Sequence, residues 1–109
     1  MGVSVIFLRM CGIPYRNFSV DYIDANGRYM NFEMTTRKAP RDTDQDILQL
    51  AQRLCSERGG KMYAVIEMMN GCNADEFNRM TDQEKRRNIR PLYIERGEYR
   101  KILEEAHVI

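Results

Sequence analysis

Hydrophobic and polar positions along this chain fall into short segments of two different periods. Val3-Ser4-Val5-Ile6-Phe7-Leu8 is β-branched and almost continuously apolar, the pattern of a strand buried on both faces. Gly12, Pro14 and Asn17 mark a turn behind it. From Phe18 the pattern becomes alternation: Phe18, Val20 and Tyr22 lead into a turn, and Met30, Phe32 and Met34 lead out of it. This is a hairpin with one buried face, and its register can be worked out. A two-residue type I′ turn at Asn26-Gly27 would set the two apolar rows on opposite faces. A three-residue loop, Ala25-Asn26-Gly27, with Gly27 in the left-handed position of a bulge, pairs Tyr22 with Met30, Val20 with Phe32 and Phe18 with Met34. A slip by one residue would expose three large side chains at roughly 1.5–3 kcal/mol each, so the three-residue loop is expected.

The period then changes to that of a helix. Ile47, Leu50, Ala51, Leu54 and Cys55 form one apolar stripe. Pro40 and Asp42-Thr43 open this helix, Asp44 and Asp46 occupy its first turn, Arg58 its last, and Gly59 ends it. Tyr63 to Met69 is a second continuously apolar strand, closed by Asn70-Gly71. Asn73 with Glu76, and Thr81 with Glu84, are successive capping boxes, giving a short helix that breaks at Met80 and another running to about Ile89. Beyond Pro91, Leu92-Tyr93-Ile94 reads either as a short edge strand or as the start of the last helix, whose stripe is Tyr99, Ile102, Leu103 and Ala106.

These elements define one domain, 1–109, of the α+β (or α/β) class, in the order β-β-β-α-β-α-(β)-α with helices packed on a mixed four- or five-stranded sheet. The two continuously apolar strands are expected to be central and parallel, with the hairpin on one side: order 3-2-1-4(-5). This order resembles the ribonuclease-H-like architecture in a shortened form, through topology alone. The resemblance implies clustered carboxylates holding two metal ions, one carboxylate coming from the first strand. Val3 to Met10 contains neither Asp nor Glu. Asp46 and Glu67 would take the helical and fourth-strand places, and two carboxylates make a poor cage. The plainer reading has Asp46 interacting with its own helix terminus and Glu67 at a strand end.

Composition changes this picture little until charge is mapped. The 109 residues are 43% hydrophobic and 30% charged with a net charge of +1, ordinary for a globular chain. Arg79–Lys101, however, holds eight Lys or Arg against four Asp or Glu, with Tyr93 and Tyr99 among them. Cations and aromatics in one place imply a contact surface on one side of the molecule. Lys85, Arg86, Arg87, Arg90, Tyr93, Arg96, Tyr99 and Arg100 are the candidate partner-binding residues. Interleaved acids such as Asp82 and Glu84 lower the local potential, and a charged helix face is commonly just solvated.

Other chemistry is sparse. Asp42-Thr43-Asp44-Gln45-Asp46 imitates the start of a calcium loop, but Ile47 and Arg53 stand where Gly and Glu are required. Cys11, Cys55 and Cys72 with His107 lack the close pairs of a zinc site, and read as buried, inert thiols. Cys72, near a helix start, is the one thiol with a route to a lowered pKa. Three widely spaced cysteines point to a reducing compartment, hence the cytoplasm. Val3 to Leu8 is too short for a signal core, and no stretch is long enough to cross a bilayer. No membrane association, metal, cofactor or catalytic residue is expected, and no sequence feature specifies a homo-oligomer.

The leading functional expectation is a small non-enzymatic interaction or regulatory protein binding a protein partner through the C-terminal Arg/Tyr-rich surface. A compact, motif-poor chain suits an accessory factor of a phage or mobile element. The alternatives are a nucleic-acid-binding module using the same cations on phosphate, and a degenerate or metal-dependent nuclease-like enzyme.

Overall fold

The computed structural model of the protein describes residues 5–37 and 43–95. Among them the order of elements is α1 (Val5–Met10), β1 (Tyr15–Ile23), β2 (Tyr29–Arg37), α2 (Asp44–Glu57), β3 (Lys61–Met68), α3 (Ala74–Asn78), α4 (Asp82–Arg87) and β4 (Ile89–Ile94). The four strands form one antiparallel sheet in the order β2-β1-β3-β4.

The hairpin has the register expected of a three-residue loop. Tyr22 pairs with Met30, Val20 with Phe32 and Phe18 with Met34. Asp24 N donates to Arg28 O at 2.9 Å, Gly27 N donates to Asp24 O at 3.0 Å, and Gly27 has φ +75°. Burial of the apolar row decided the register: Phe18 and Val20 are fully buried. The tight two-residue turn occurs elsewhere. Asn70 (φ +58°) and Gly71 (φ +73°) are both left-handed, and Cys72 N donates back to Met69 O at 3.3 Å.

α2 lies on that apolar face. Its Ile47, Ala51, Leu54 and Cys55 pack with Phe18, Val20, Tyr22, Met34 and Val65 into the main core. Thr43 caps it: the Thr43 hydroxyl accepts from Asp46 N, and Asp46 Oδ2 accepts from Thr43 N. At the other end Gly59 (φ +69°) donates to Ser56 O and Gly60 to Cys55 O, a left-handed stop that glycine makes without strain.

Two expectations are corrected. From Val5 onward the apolar run at the start is a helix, not a strand. Val5 and Leu8, three residues apart, are 3% and 1% exposed, whereas Ile6 and Phe7 face outward. Gly12 terminates this helix as Gly59 terminates α2, with Gly12 N donating to Arg9 O and Ile13 N to Leu8 O. A six-residue apolar run cannot separate helix from strand by periodicity.

The second correction follows from the first. Without that strand the order 3-2-1-4 does not form, and β3 pairs directly with β1. β3 is central and buried from Tyr63 to Met68, as its apolar run implied, but it is antiparallel to β1. The sheet is therefore antiparallel, not mixed, and it does not support the ribonuclease-H-like resemblance. Of the two alternatives for Leu92-Tyr93-Ile94, the edge strand is the one found: β4 contains Pro91 and lies at the edge of the sheet. The expected helix around Tyr99 to Ala106 lies outside the described residues.

Candidate interaction surface

Strand parity assigns the remaining elements to the second face of the sheet. Asn17, Ser19 and Asp21 of β1, Asn31 and Glu33 of β2, and Ile66 and Met68 of β3 point away from α2. α1, α3 and α4 lie on that side. Asn17, only 1% exposed, ties it together: its Nδ2 donates to Cys72 O at 2.9 Å and to Glu33 Oε2 at 3.2 Å, and its Oδ1 accepts from Thr35 Oγ1 at 2.7 Å. Glu33 also accepts from Ala74 N at the start of α3. Arg9 of α1 donates to Glu76 Oε1 at 2.6 Å, to Tyr15 Oη at 3.0 Å and to Gly71 O, anchoring α1 beside α3. Hydrogen bonding from Arg9 holds the Glu76 carboxyl below its usual range.

Both expected capping boxes are present, at Asn73/Glu76 and Thr81/Glu84. They start two short helices with no fully buried side chain. A cavity of about 490 Å³ lies between these helices and the polar part of the sheet, bounded by Ser19, Asp21, Asn31, Met68, Phe77 and Lys85 among others. On its sheet wall Asn31 Nδ2 donates to Ser19 Oγ at 2.8 Å and to Asp21 Oδ1 at 2.7 Å.

The candidate binding residues separate into different surroundings. Lys85, Arg86 and Arg87 share the last turn of α4. Lys85 holds its ammonium 5.6 Å from the Phe77 ring centre and lines the cavity; Arg86 and Arg87 are exposed. Tyr93 is half-buried against the main core, so it is a packing residue on the α2 side of the sheet. Arg96, Tyr99 and Arg100 lie outside the described residues.

Arg90 belongs to a closed ring of charge with Arg16, Asp44 and Glu67. Arg16 Nε and Nη2 donate to the two oxygens of Glu67 at 3.0 and 2.9 Å, and Nη2 reaches Asp44 Oδ1 at 3.0 Å. Arg90 Nη2 donates to Glu67 Oε1 at 2.9 Å and to Asp44 Oδ1 at 2.7 Å, while its Nη1 donates to Asp44 Oδ2 at 2.8 Å. The ring joins β1, the start of α2, β3 and β4. Side-chain exposure runs from 8% at Glu67 and 12% at Arg16 to 44% at Arg90 and 50% at Asp44.

Burial pushes Glu67 upward, but hydrogen bonds and charge from Arg16 and then Arg90 outweigh it, and the net shift is downward. Asp44 is held well below the carboxylate range, first by Arg90 and then by Arg16. Both guanidiniums are held more firmly protonated, Arg16 chiefly by Glu67 and Arg90 chiefly by Asp44. Two cations and two anions cancel, so the ring is an internal clamp and its carboxylates are already engaged. Glu67 is thus at a strand end, one residue before the last of β3, and is also a buried ionic partner. Asp44, not Asp46, is the acid that meets it.

Arg16 and Asp44 were missed because 28 residues separate them. One signal existed. Arg16 has the strand parity of Phe18, Val20 and Tyr22, so its charge points inward and requires a partner.

The thiols divide too. Cys55 and Cys72 are buried, but Cys11 is exposed, correcting the expectation for that residue. Burial raises the Cys72 pKa and Glu76 adds to the rise, so the helix-start activation considered for it does not occur. Among the described residues no three His, Cys, Asp or Glu side chains gather as a metal site, and no helix is long and apolar enough to cross a membrane. His107 lies outside them. Neither a family model, nor a curated protein, nor a solved structure matches this chain.

Proposed function

We propose that this chain is a non-enzymatic interaction protein that binds a protein partner through the layer of α1, α3 and α4, with the α4 arginines as its charged contact. One observation carries the reading: this layer holds apolar and cationic exposure together. Ile6, Phe7 and Met10 are 59%, 52% and 82% exposed on α1, and Arg86 and Arg87 are exposed on α4 without an ion pair to another described residue. Methionine, aromatics and arginine are enriched where proteins meet, and the exposed apolar side chains of α1 favour a protein partner over phosphate, which the cations alone would serve equally well. Arg90 has no part in this role, because Asp44 and Glu67 engage it.

The test is affinity capture with the purified chain against Arg86→Ala/Arg87→Ala, using exposed Arg53→Ala on the opposite layer as control. One stoichiometric protein retained by the wild type and the control, but lost by the double variant, is expected. Binding of single- or double-stranded nucleic acid that weakens steeply with salt and is lost in the same double variant would replace this reading with the nucleic-acid one.

A further inference from the structure

We propose that β2 is a self-pairing edge, through which two copies of this chain join about a two-fold axis into one continuous sheet. Asp24 and Arg28 form a hydrogen-bonded pair at the base of the turn. Hydrogen-bonded and non-hydrogen-bonded pairs alternate along an antiparallel ladder, so Met30, Phe32 and Met34 turn their N–H and C=O groups toward β1. The groups of Asn31, Glu33 and Thr35 therefore point outward, and no described strand lies beyond them.

The two edges of the sheet differ. β4 carries Pro91, which has no N–H, and its ladder is broken by an irregularity between Val65 and Ile66. Both features discourage strand addition. β2 has neither proline nor lysine, and pairs with β1 over nine unbroken positions. An edge left open on only one side can pair with its own copy and then stop, because the product has no second open edge. Closure at two copies, rather than growth into a fibre, is what this asymmetry permits.

The side chains of β2 favour its own copy as the occupant. An axis at Glu33 would set two carboxylates opposite each other, which is unfavourable. An axis at Phe32 places Phe32 against its counterpart, Met30 against Met34, and Asn31 against Glu33, with no like charges opposed. That register covers Met30, which is 41% exposed in the single chain. It also extends the apolar face beneath α2 across the junction. The Arg58 guanidinium, 4.1 Å from the Phe32 ring centre, approaches its own copy near the axis. Arg58 is exposed, so moderate salt should screen that repulsion and tighten the pair.

The test is sedimentation or light scattering across a dilution series, with amide exchange as a residue-level readout. The expected result is a reversible change from 12.9 kDa to twice that mass. Amides of Asn31, Glu33 and Thr35 should become protected as concentration rises. Asn31→Pro, which removes an outward donor, and Met30→Lys, at an exposed position, should each raise the dissociation constant by about tenfold or more. If Asn31→Pro fails to fold by circular dichroism, Met30→Lys decides the matter. Arg86→Ala/Arg87→Ala should leave the pair intact, which separates this interface from the partner surface on α4. A chain of 12.9 kDa at every soluble concentration, or a dimer as tight in Met30→Lys as in the wild type, overturns the proposal.

Discussion

Glu67 is the residue on which most of the internal charge of this protein converges. It is 6% exposed and meets both Arg16 and Arg90. Its own burial is costly, and paired guanidiniums offset that cost. Removing it takes from Arg16, whose side chain is only 12% exposed, the carboxylate that it holds at two points. Breaking a buried pair from one side is worse than never having built it. Glu67→Ala is therefore expected to destabilise the chain by about 3 kcal/mol. Asp44→Ala, at the half-exposed corner of the ring, should cost about 1 kcal/mol or less. Urea unfolding of both variants checks the order; equal losses would mean that the ring does not depend on its buried corner.

Among the elements, α3 and α4 differ from the rest of the fold in what holds them. α2 presses four buried side chains onto the sheet, whereas the two short helices bury none and rely on their capping boxes. Helices this short have little stability of their own, so local opening is expected there first. Amides of 74–87 should exchange well ahead of those in β1 and β3. Thr81→Ala removes one capping bond and should cost about 1 kcal/mol. Hydrogen exchange followed by mass spectrometry would show the loss confined to α4; an equal loss throughout the sheet would contradict it. Partner contact at Arg86 and Arg87 would order this segment at the moment of binding.

For the whole molecule, the ring makes stability depend on acidity. Asp44, Glu67 and Glu76 all have folded-state pKa values depressed below their ordinary ones. The unfolded chain therefore binds protons at a higher pH than the folded chain does. Stability from these groups is complete above the ordinary carboxylate pKa of about 4 and is lost as pH falls through the depressed values. Thermal melts should show a plateau near neutrality and a decline below about pH 4. Glu67→Gln should flatten that decline. An unchanged acid profile in Glu67→Gln would show that the clamp carries none of it.

Much of this architecture was legible in the chain because the relevant physics is local. Alternation from Phe18 to Met34 set the hairpin register, since a slip would move a whole apolar row into water. Thr43, Asn73 and Thr81 announced three helix starts, since each side chain satisfies an amide only a few residues away. The apolar run Tyr63–Met69 marked a strand covered on both faces.

What the chain could not announce depends on elements far apart in sequence. Val3–Leu8 has no periodicity that separates helix from strand, and only the docking of Val5 and Leu8 decided it. The direction of β3 rests on how α2 crosses from β2, which side-chain pattern does not encode. Arg90 is a near neighbour of Arg86 and Arg87 in sequence, yet the strand that follows α4 turns it toward Asp44 and Glu67. Sequence alone thus determined the segments and their inward rows, through contacts that span a few residues. Tertiary structure alone decided the strand order and which charges neutralise one another, because Coulomb attraction acts between whatever the fold brings together.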